Sequence, residues 1–177
     1  MTDYSEDVIV TKKGYSFSTD ETSDQDISLS NFLPEKKKQL TVNLKNFGNN
    51  NKYTSSNLAE TINVYNGAYN MALYGTNANK TVKLGNTSGN LVTILNIGKN
   101  KITAGNNGNI FQTSNSYSNT TITAGIGEDT YYLYDGTAKI TDKGGANYYS
   151  INGGLNNIVE KGNNGSKFNI YYTASSQ

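Results

Sequence analysis

The chain lacks four residue types that much of protein chemistry depends on. Its 177 residues include no cysteine, histidine or tryptophan, and all fifteen basic residues are lysines, so arginine is absent too. There is therefore no thiol nucleophile, no imidazole base, no Cys/His zinc site and no bidentate clamp for phosphate. No apolar run approaches the roughly 18–20 residues of a membrane span. These absences predict that the protein is not an enzyme.

Net charge is also low. A formal charge of +1 provides no field that would attract nucleic acid or a membrane surface. The lysines at positions 36–38 are typical of a solvated loop. The lack of cysteine is compatible with a reduced cytosol or with a secreted bacterial protein that never meets an oxidising system. The N-terminus lacks the apolar core of a signal peptide, so secretion would need a C-terminal address or a larger parent chain.

The abundant residues predict many tight turns. There are 28 asparagines and 18 glycines, and only 34% of the residues are hydrophobic. Glycine and asparagine accept the positive φ of tight turns, and the apolar residues are grouped rather than scattered. The composition therefore predicts short strands joined by frequent turns.

Apolar residues recur in columns at a spacing of 18–20 residues. The first column is β-branched and consists of Ile62, Val82, Ile102, Ile122, Ile140 and Ile158. The second consists of Met71, Leu91, Phe111, Tyr131, Tyr149 and Phe168, and a shorter third of Leu133, Ile151 and Ile170. Turns rich in glycine and asparagine separate the first column from the second.

Two short strands and two turns in each unit predict one rung of a parallel β-helix or β-roll. The predicted fold class is all-β, a right-handed parallel β-solenoid with rungs of 18–20 residues, in which stacked apolar side chains fill a narrow core. An antiparallel sandwich would also have short strands, but it would not keep so regular a spacing over six units.

Residues 1–56 do not follow the period. Alternation of apolar and polar residues predicts strands at 8–10, 15–17, 27–29 and 40–44. A terminal rung exposes unpaired backbone and needs an atypical cover. We therefore predict an irregular β-strand cap or connector over residues 1–56, in which 40–44 would form a first irregular rung, and the solenoid over 57–177.

The stretch AGIGEDTYY at residues 124–132 resembles the nonapeptide G-G-x-G-x-D-x-U-x of the RTX family of type I-secreted bacterial proteins, with Ala124 in place of the first glycine. The rhythm of residues 58–173 is also similar to RTX repeats. The resemblance implies a turn that binds Ca²⁺ between stacked loops, with Asp129 as the carboxylate ligand and Gly125 and Gly127 as turn and carbonyl residues. Hard oxygen ligands on a flexible glycine turn suit calcium.

The neighbouring turns place Asn109, Asn147 and Ser166 near the position of Asp129. Asn109 and Asn147 would join the calcium site from the rungs before and after it. Only one turn has the full signature, so we expect few and weak calcium sites. The core is then expected to fold without metal, as a degenerate or capping end of an array.

Outward tyrosines are candidates for ligand binding. In each adjacent tyrosine pair, one ring would point inward and the other outward. Tyr132, Tyr148 and Tyr171 would then form an aromatic ladder able to stack on sugars, or would simply pack across the rungs.

Three carboxylates lie in turns or near strand ends, namely Asp135, Asp142 and Glu160. A polysaccharide-cleaving β-helix could use such groups on one face. Carboxylates at the edge of a rung are usually only solvated, so we predict no catalytic role for them.

These features predict a non-catalytic structural or interaction module of a secreted or cell-surface bacterial RTX-like protein, of the toxin, adhesin or surface-layer type, stabilised by Ca²⁺. It would form part of a larger chain and contact a glycan or protein of a host or cell surface. The alternative is a carbohydrate-binding or carbohydrate-cleaving β-helix, such as a polysaccharide lyase or phage tailspike. The missing arginine and histidine count against a lyase. A β-solenoid assembly protein without metal is a third reading.

Overall fold

The structure, a computed structural model, describes residues 2–3, 9–11, 14–19, 21–32, 34, 39–76, 78–162 and 165–171. This part of the chain contains eighteen strands and no helix. The strands form two nine-stranded sheets, and successive strands along the chain alternate between them from β3 onward.

Sheet 1 contains β1 (Thr2–Asp3), β4 (Asp26–Ser28), β6 (Asn51–Thr54), β8 (Tyr69–Leu73), β10 (Leu91–Ile94), β12 (Ile110–Thr113), β14 (Thr130–Leu133), β16 (Tyr148–Ile151) and β18 (Lys167–Ile170). Sheet 2 contains β2 (Ile9–Thr11), β3 (Gly14–Thr19), β5 (Leu40–Leu44), β7 (Glu60–Val64), β9 (Lys80–Lys83), β11 (Lys99–Thr103), β13 (Asn119–Thr123), β15 (Thr137–Asp142) and β17 (Leu155–Glu160).

The pairing between neighbouring rungs is parallel, which confirms the predicted right-handed parallel β-solenoid. One strand of each sheet makes a rung, and the six rungs from β7/β8 to β17/β18 cover the region of regular repeats. The short strands alternate buried and more exposed side chains, so each sheet turns one face to the shared core.

The solenoid continues on the N-terminal side of residue 57. Strands β3, β5 and β7 pair in parallel, as do β4, β6 and β8. Phe17 and Val42 extend the inward column of Ile62. The irregular element is β2, which pairs antiparallel with β3 at the edge of sheet 2. The described part of residues 1–56 therefore adds two rungs and two edge strands, β1 and β2, and the sheets show no break at residue 56.

The first predicted column is confirmed. Its six members pair with one another in register along sheet 2. The first five are fully buried, and Ile158, in the terminal rung, packs against the core from a half-buried position. The shorter column of Leu133, Ile151 and Ile170 is likewise in register along sheet 1.

The second predicted column is correct except at Leu91. Val92, not Leu91, pairs with Met71 and with Phe111, and Val92 is the buried residue. The longer turn that precedes β10 shifts the inward position by one residue, so Leu91 lies half-buried on the outer row with Ile110.

The C-terminal half of this column is an aromatic stack. The ring centroids of Phe111 and Tyr131 are 5.3 Å apart, those of Tyr131 and Tyr149 4.7 Å, and those of Tyr149 and Phe168 4.4 Å. The last two pairs are nearly parallel, with 5° between the ring planes. Such contacts add about 0.5–1.5 kcal/mol per pair beyond the apolar area they bury.

Candidate functional site

A column of polar side chains runs along one corner of the solenoid, at the residue before each of the last five strands of sheet 1. In five consecutive rungs the position is held by Asn90, Asn109, Asp129, Asn147 and Ser166, because the residues that follow them pair in register. At each step a side-chain oxygen accepts the backbone N–H of the residue one rung earlier. The N···O distances are 3.2, 2.7, 2.7 and 3.0 Å in chain order. We call this set the corner ladder.

Asp129 is the charged member of the corner ladder and is only 1% exposed. Its Oδ1 accepts the N–H of Asn109, and its Oδ2 has no hydrogen-bond partner among the described residues. Burial raises the pKa of Asp129 to about 7; the N–H of Asn109 opposes this shift and the charge of Asp142 adds to it. The carboxyl group therefore titrates near neutral pH.

Gly125 and Gly127 bring the turn before Asp129 into contact with the turn one rung earlier. A Cβ atom at Gly125 would lie 2.1 Å from the carbonyl oxygen of Gly105, and one at Gly127 would lie 2.5 Å from the carbonyl carbon of Asn107. Only glycine allows backbones to approach so closely. The carbonyl oxygen of Gly125 accepts the N–H of Lys143 at 3.0 Å.

The predicted calcium ligands thus lie together, but the fold already uses them. Asn109, Asp129 and Asn147 occupy consecutive rungs, and an oxygen of each accepts an N–H from the rung before. Calcium prefers six to eight oxygen ligands, and no group of three or more acidic residues within the described ranges is placed to hold a metal ion. These oxygens form a hydrogen-bond ladder without metal, and calcium binding stays a prediction.

Two more carboxyl groups, those of Asp142 and Glu160, lie inside the solenoid beside the corner ladder. They pair in register at the ends of β15 and β17, in the inward column that Ala124 occupies one rung earlier. The hydroxyl of Tyr131 donates to Asp142 Oδ2 at 2.6 Å, and the hydroxyl of Ser166 donates to Glu160. Burial raises the pKa of Asp142, and the hydrogen bond from Tyr131 opposes the shift.

The structure does not bring the three candidate catalytic carboxylates onto one accessible face. Asp142 is fully buried, and Glu160 is half-buried in the terminal rung. Asp135 lies before β15, at the other end of that strand, and accepts the N–H of Gly136 at 2.7 Å. The 18-residue step from Ala124 to Asp142 was the signal that could have placed Asp142 inward.

Sequence reasoning missed a buried ion pair in the opposite corner. Lys80 is 0% and Glu60 1% exposed, and Lys80 Nζ lies 3.2 Å from Glu60 Oε2. Lys80 Nζ also donates to the carbonyl oxygens of Ser56 and Leu58, each at 2.7 Å. Burial lowers the pKa of Lys80 and raises that of Glu60, and the mutual attraction opposes both shifts. Both residues lie two positions before the first apolar column, which marks an inward position.

The predicted outward tyrosines Tyr132 and Tyr148 lie next to each other on the outer face of sheet 1. Their ring centroids are 6.2 Å apart in an edge-to-face arrangement. Tyr134, which was not predicted, lies parallel to Tyr132 at 6.3 Å, and its i+2 spacing on the same face was the available signal. We call Tyr132, Tyr134 and Tyr148 the tyrosine patch. Tyr171 is exposed beyond β18, two rungs from Tyr134.

No protein family, curated protein or solved structure matches this chain. The described ranges contain no helix that is long and apolar enough to cross a membrane. The fold defines the protein as a two-sheet parallel β-solenoid.

Proposed function

We propose that the chain is a non-catalytic structural and interaction module of a secreted or cell-surface bacterial protein of the RTX-like type. The observation that carries the proposal is the corner ladder. It uses the polar residues that the sequence singles out to join one rung to the next, as a rigid extended scaffold requires.

The likeness to the RTX nonapeptide gives further support. Tyr131 occupies the position of the residue that enters the core in that repeat, and it is fully buried in the aromatic stack. Gly125 and Gly127 lie where stacked turns touch, which is the role of the repeat glycines. In this proposal a weakly bound Ca²⁺ near Asp129 stabilises the module after export.

The tyrosine patch is the proposed contact surface. Its rings project from the outer face of a stiff sheet, and Tyr134 is 43% exposed. Asn169 donates its side-chain N–H to the hydroxyl of Tyr148 at 2.9 Å, which fixes that ring for contact with a partner. Tyrosine offers a large, rigid and amphipathic surface of the kind enriched at interfaces. The partner is a glycan or protein of a cell surface.

Binding of the purified chain to immobilised bacterial polysaccharides and host-cell glycoproteins tests the proposal. A variant with both Tyr132→Ala and Tyr148→Ala should lose the binding of the wild type, whereas Tyr74→Ala, which removes a 43% exposed ring three rungs before Tyr134, should keep it. Retained binding by the double variant would reject the tyrosine patch as the contact surface. Release of new reducing ends, abolished by Asp135→Asn, would reject a non-catalytic role.

A further inference from the structure

A recess outside the tyrosine patch is created by unequal turn lengths. The turns that lead from sheet 2 to sheet 1 comprise residues 45–50, 65–68 and 84–90 in three consecutive rungs. The middle turn has four residues, and the flanking turns have six and seven. The short turn therefore forms the floor of a depression between two longer turns. We call this depression the notch.

The floor of the notch is fixed in place by Gly67. Its φ is +74°, which is unfavourable for any residue with a side chain. A Cβ atom there would also lie 2.3 Å from the carbonyl oxygen of Asn46 and 2.6 Å from that of Gly48. The short turn thus packs directly beneath the turn at residues 45–50.

The two walls of the notch are braced as well. Asp24 accepts the backbone N–H of Asn50 at 3.1 Å and its side-chain N–H at 3.2 Å, which holds the first wall. In the second wall, Asn90 Nδ2 donates to Thr87 Oγ1 at 2.9 Å, and the N–H of Thr87 donates to the carbonyl oxygen of Leu84 at 3.2 Å. The notch is therefore organised before any ligand enters, which lowers the entropic cost of binding.

The lining of the notch combines exposed aromatic rings with amides. The notch has a volume of about 360 Å³, within the roughly 300–1,000 Å³ of small-molecule sites. Phe47 is 59% and Tyr65 56% exposed, although both rings belong to turns whose backbone is fixed. The polar part of the lining is made by side chains that include Asn49, Asn66, Asn86 and Ser88. All described lining residues are uncharged.

We propose that the notch binds one or two sugar units of an uncharged glycan. The apolar C–H face of a pyranose ring packs on Phe47 or Tyr65, while asparagine amides donate to and accept from its hydroxyl groups. An anionic ligand would find no cation among the described lining residues to balance its charge, and a lipid chain would leave the amides without partners. Binding in the notch involves neither the tyrosine patch nor calcium.

The test is a titration of ¹⁵N-labelled protein, followed by NMR, with hexamers of β-1,4-glucose, β-1,3-glucose and β-1,4-N-acetylglucosamine. An oligogalacturonate of the same length serves as the anionic probe. At least one neutral hexamer should shift the signals of Asn49, Asn66, Asn86 and Ser88 in a saturable way. The absence of saturable shifts with all three, or equal shifts with the anionic probe, would overturn the proposal.

Variants assign the binding to the rings of the notch. Phe47→Ala and Tyr65→Ala should each weaken the affinity about tenfold, the order expected for loss of one aromatic contact. Tyr117→Ala, which removes a 75% exposed ring from another turn, should change nothing. Tyr132→Ala should also leave these shifts unchanged. The proposed binding at the notch and the proposed binding at the tyrosine patch are therefore tested independently of each other. Affinity that survives removal of both Phe47 and Tyr65 would overturn the proposal.

Discussion

Asp129 holds a position where asparagine would satisfy the same backbone donor. Asn109 and Asn147, one rung before and one rung after, each use a side-chain oxygen to accept an N–H of the preceding rung. Asp129 does so with a carboxylate that is 1% exposed and lies near the charge of Asp142. The ionised form of Asp129 is therefore disfavoured in the folded state.

The pH dependence of stability follows from this. The pKa of Asp129 rises from 3.8 to about 7 on folding, so the folded chain binds the proton more tightly. The stabilisation that the protonated Asp129 carboxyl group contributes to the fold is complete below its unfolded pKa of 3.8. It is lost as the pH rises through the folded pKa of about 7. Asp129→Asn should consequently melt at a higher temperature than the wild type at pH 8 in chelator, with a smaller difference at pH 4.

Asp24→Asn provides a control of opposite sign. The backbone N–H and the side-chain amide of Asn50 lower the pKa of the Asp24 carboxyl group, so its contribution is present above the unfolded pKa and lost as the pH falls. This variant should lose stability at neutral pH and not at low pH. Identical melting of Asp129→Asn and the wild type at pH 8 would show that Asp129 is not held in a destabilised ionised form.

Calcium should raise the melting temperature of the wild type, because it would neutralise the buried carboxylate of Asp129. If Ca²⁺ binds through Asp129, millimolar calcium should raise the melting temperature of the wild type slightly and leave Asp129→Asn unchanged. One carboxylate supplies few of the oxygens that calcium prefers, so the affinity should be on the order of 10⁻⁴–10⁻³ M. Differential scanning fluorimetry with calcium or chelator decides this. Wild-type melting that ignores calcium, or folding that requires it, would contradict the prediction.

Replacing only one member of the buried pair of Lys80 and Glu60 should destabilise the fold far more than replacing both with apolar residues. Lys80→Met leaves the Glu60 carboxylate buried without its cation, which costs about 3–5 kcal/mol. Glu60→Leu combined with Lys80→Met should recover most of that loss, because Leu40 already holds the same column one rung earlier. Urea denaturation measures both. Lys52→Met, at the exposed pair with Asp26, should change stability by less than about 1 kcal/mol.

At the scale of the strand, substitutions at inward positions should lower the free energy of unfolding far more than substitutions at outward positions. Ile122 is fully buried in β13 between Ile102 and Ile140. Ile122→Ala should lower the free energy of unfolding by about 2–5 kcal/mol through lost burial and a cavity. Thr121→Ala, its outward neighbour, should change it by no more than about 0.5 kcal/mol. Comparable losses in the two variants, measured in urea, would contradict the assigned register.

The strands were predictable where one rung repeats another. Ile102 and Ile122 could be placed by counting because each rung repeats its inward positions. Counting failed at Leu91, because the period of the repeat does not predict the length of a turn. One extra residue in the turn exchanges the inward and outward positions of the strand that follows. The period does not extend to the N-terminus, where Tyr15 pairs with Leu40 across a rung of 25 residues.

The candidate site was less predictable than the strands. The sequence located Asp129 in a turn, but whether its carboxylate meets a cation or the N–H of Asn109 depends on how closely two turns stack. The ion pair of Glu60 and Lys80 could be recognised only from the register of β7 and β9, which places the two residues side by side. Sequence patterns rarely assign charged residues to a core. The notch arises from a difference in length between successive turns and has no sequence signature of its own.

At the scale of the whole molecule, the solenoid should tolerate the removal of one complete rung. Deletion of residues 100–119 joins Lys99 to Thr120, and Lys99 then takes the place of Asn119, its partner in the register. The chain should keep its β-sheet circular dichroism and melt at a lower temperature, since it loses one rung-to-rung interface. Deletion of residues 100–109 alone removes half a rung and should prevent folding. Equal outcomes for the two deletions would contradict a modular rung.

The parallel register also sets how the chain reaches this structure. Partners in adjacent rungs of the regular repeat, such as Ile102 and Ile122, are only about twenty residues apart along the chain, so each of these rungs closes a loop of similar length and similar entropy. Once two rungs have formed a nucleus, each further rung adds to an existing edge without a search across the whole chain. A longer rod of the same repeat would meet, at each step of its growth, the same kinetic barrier as this short one.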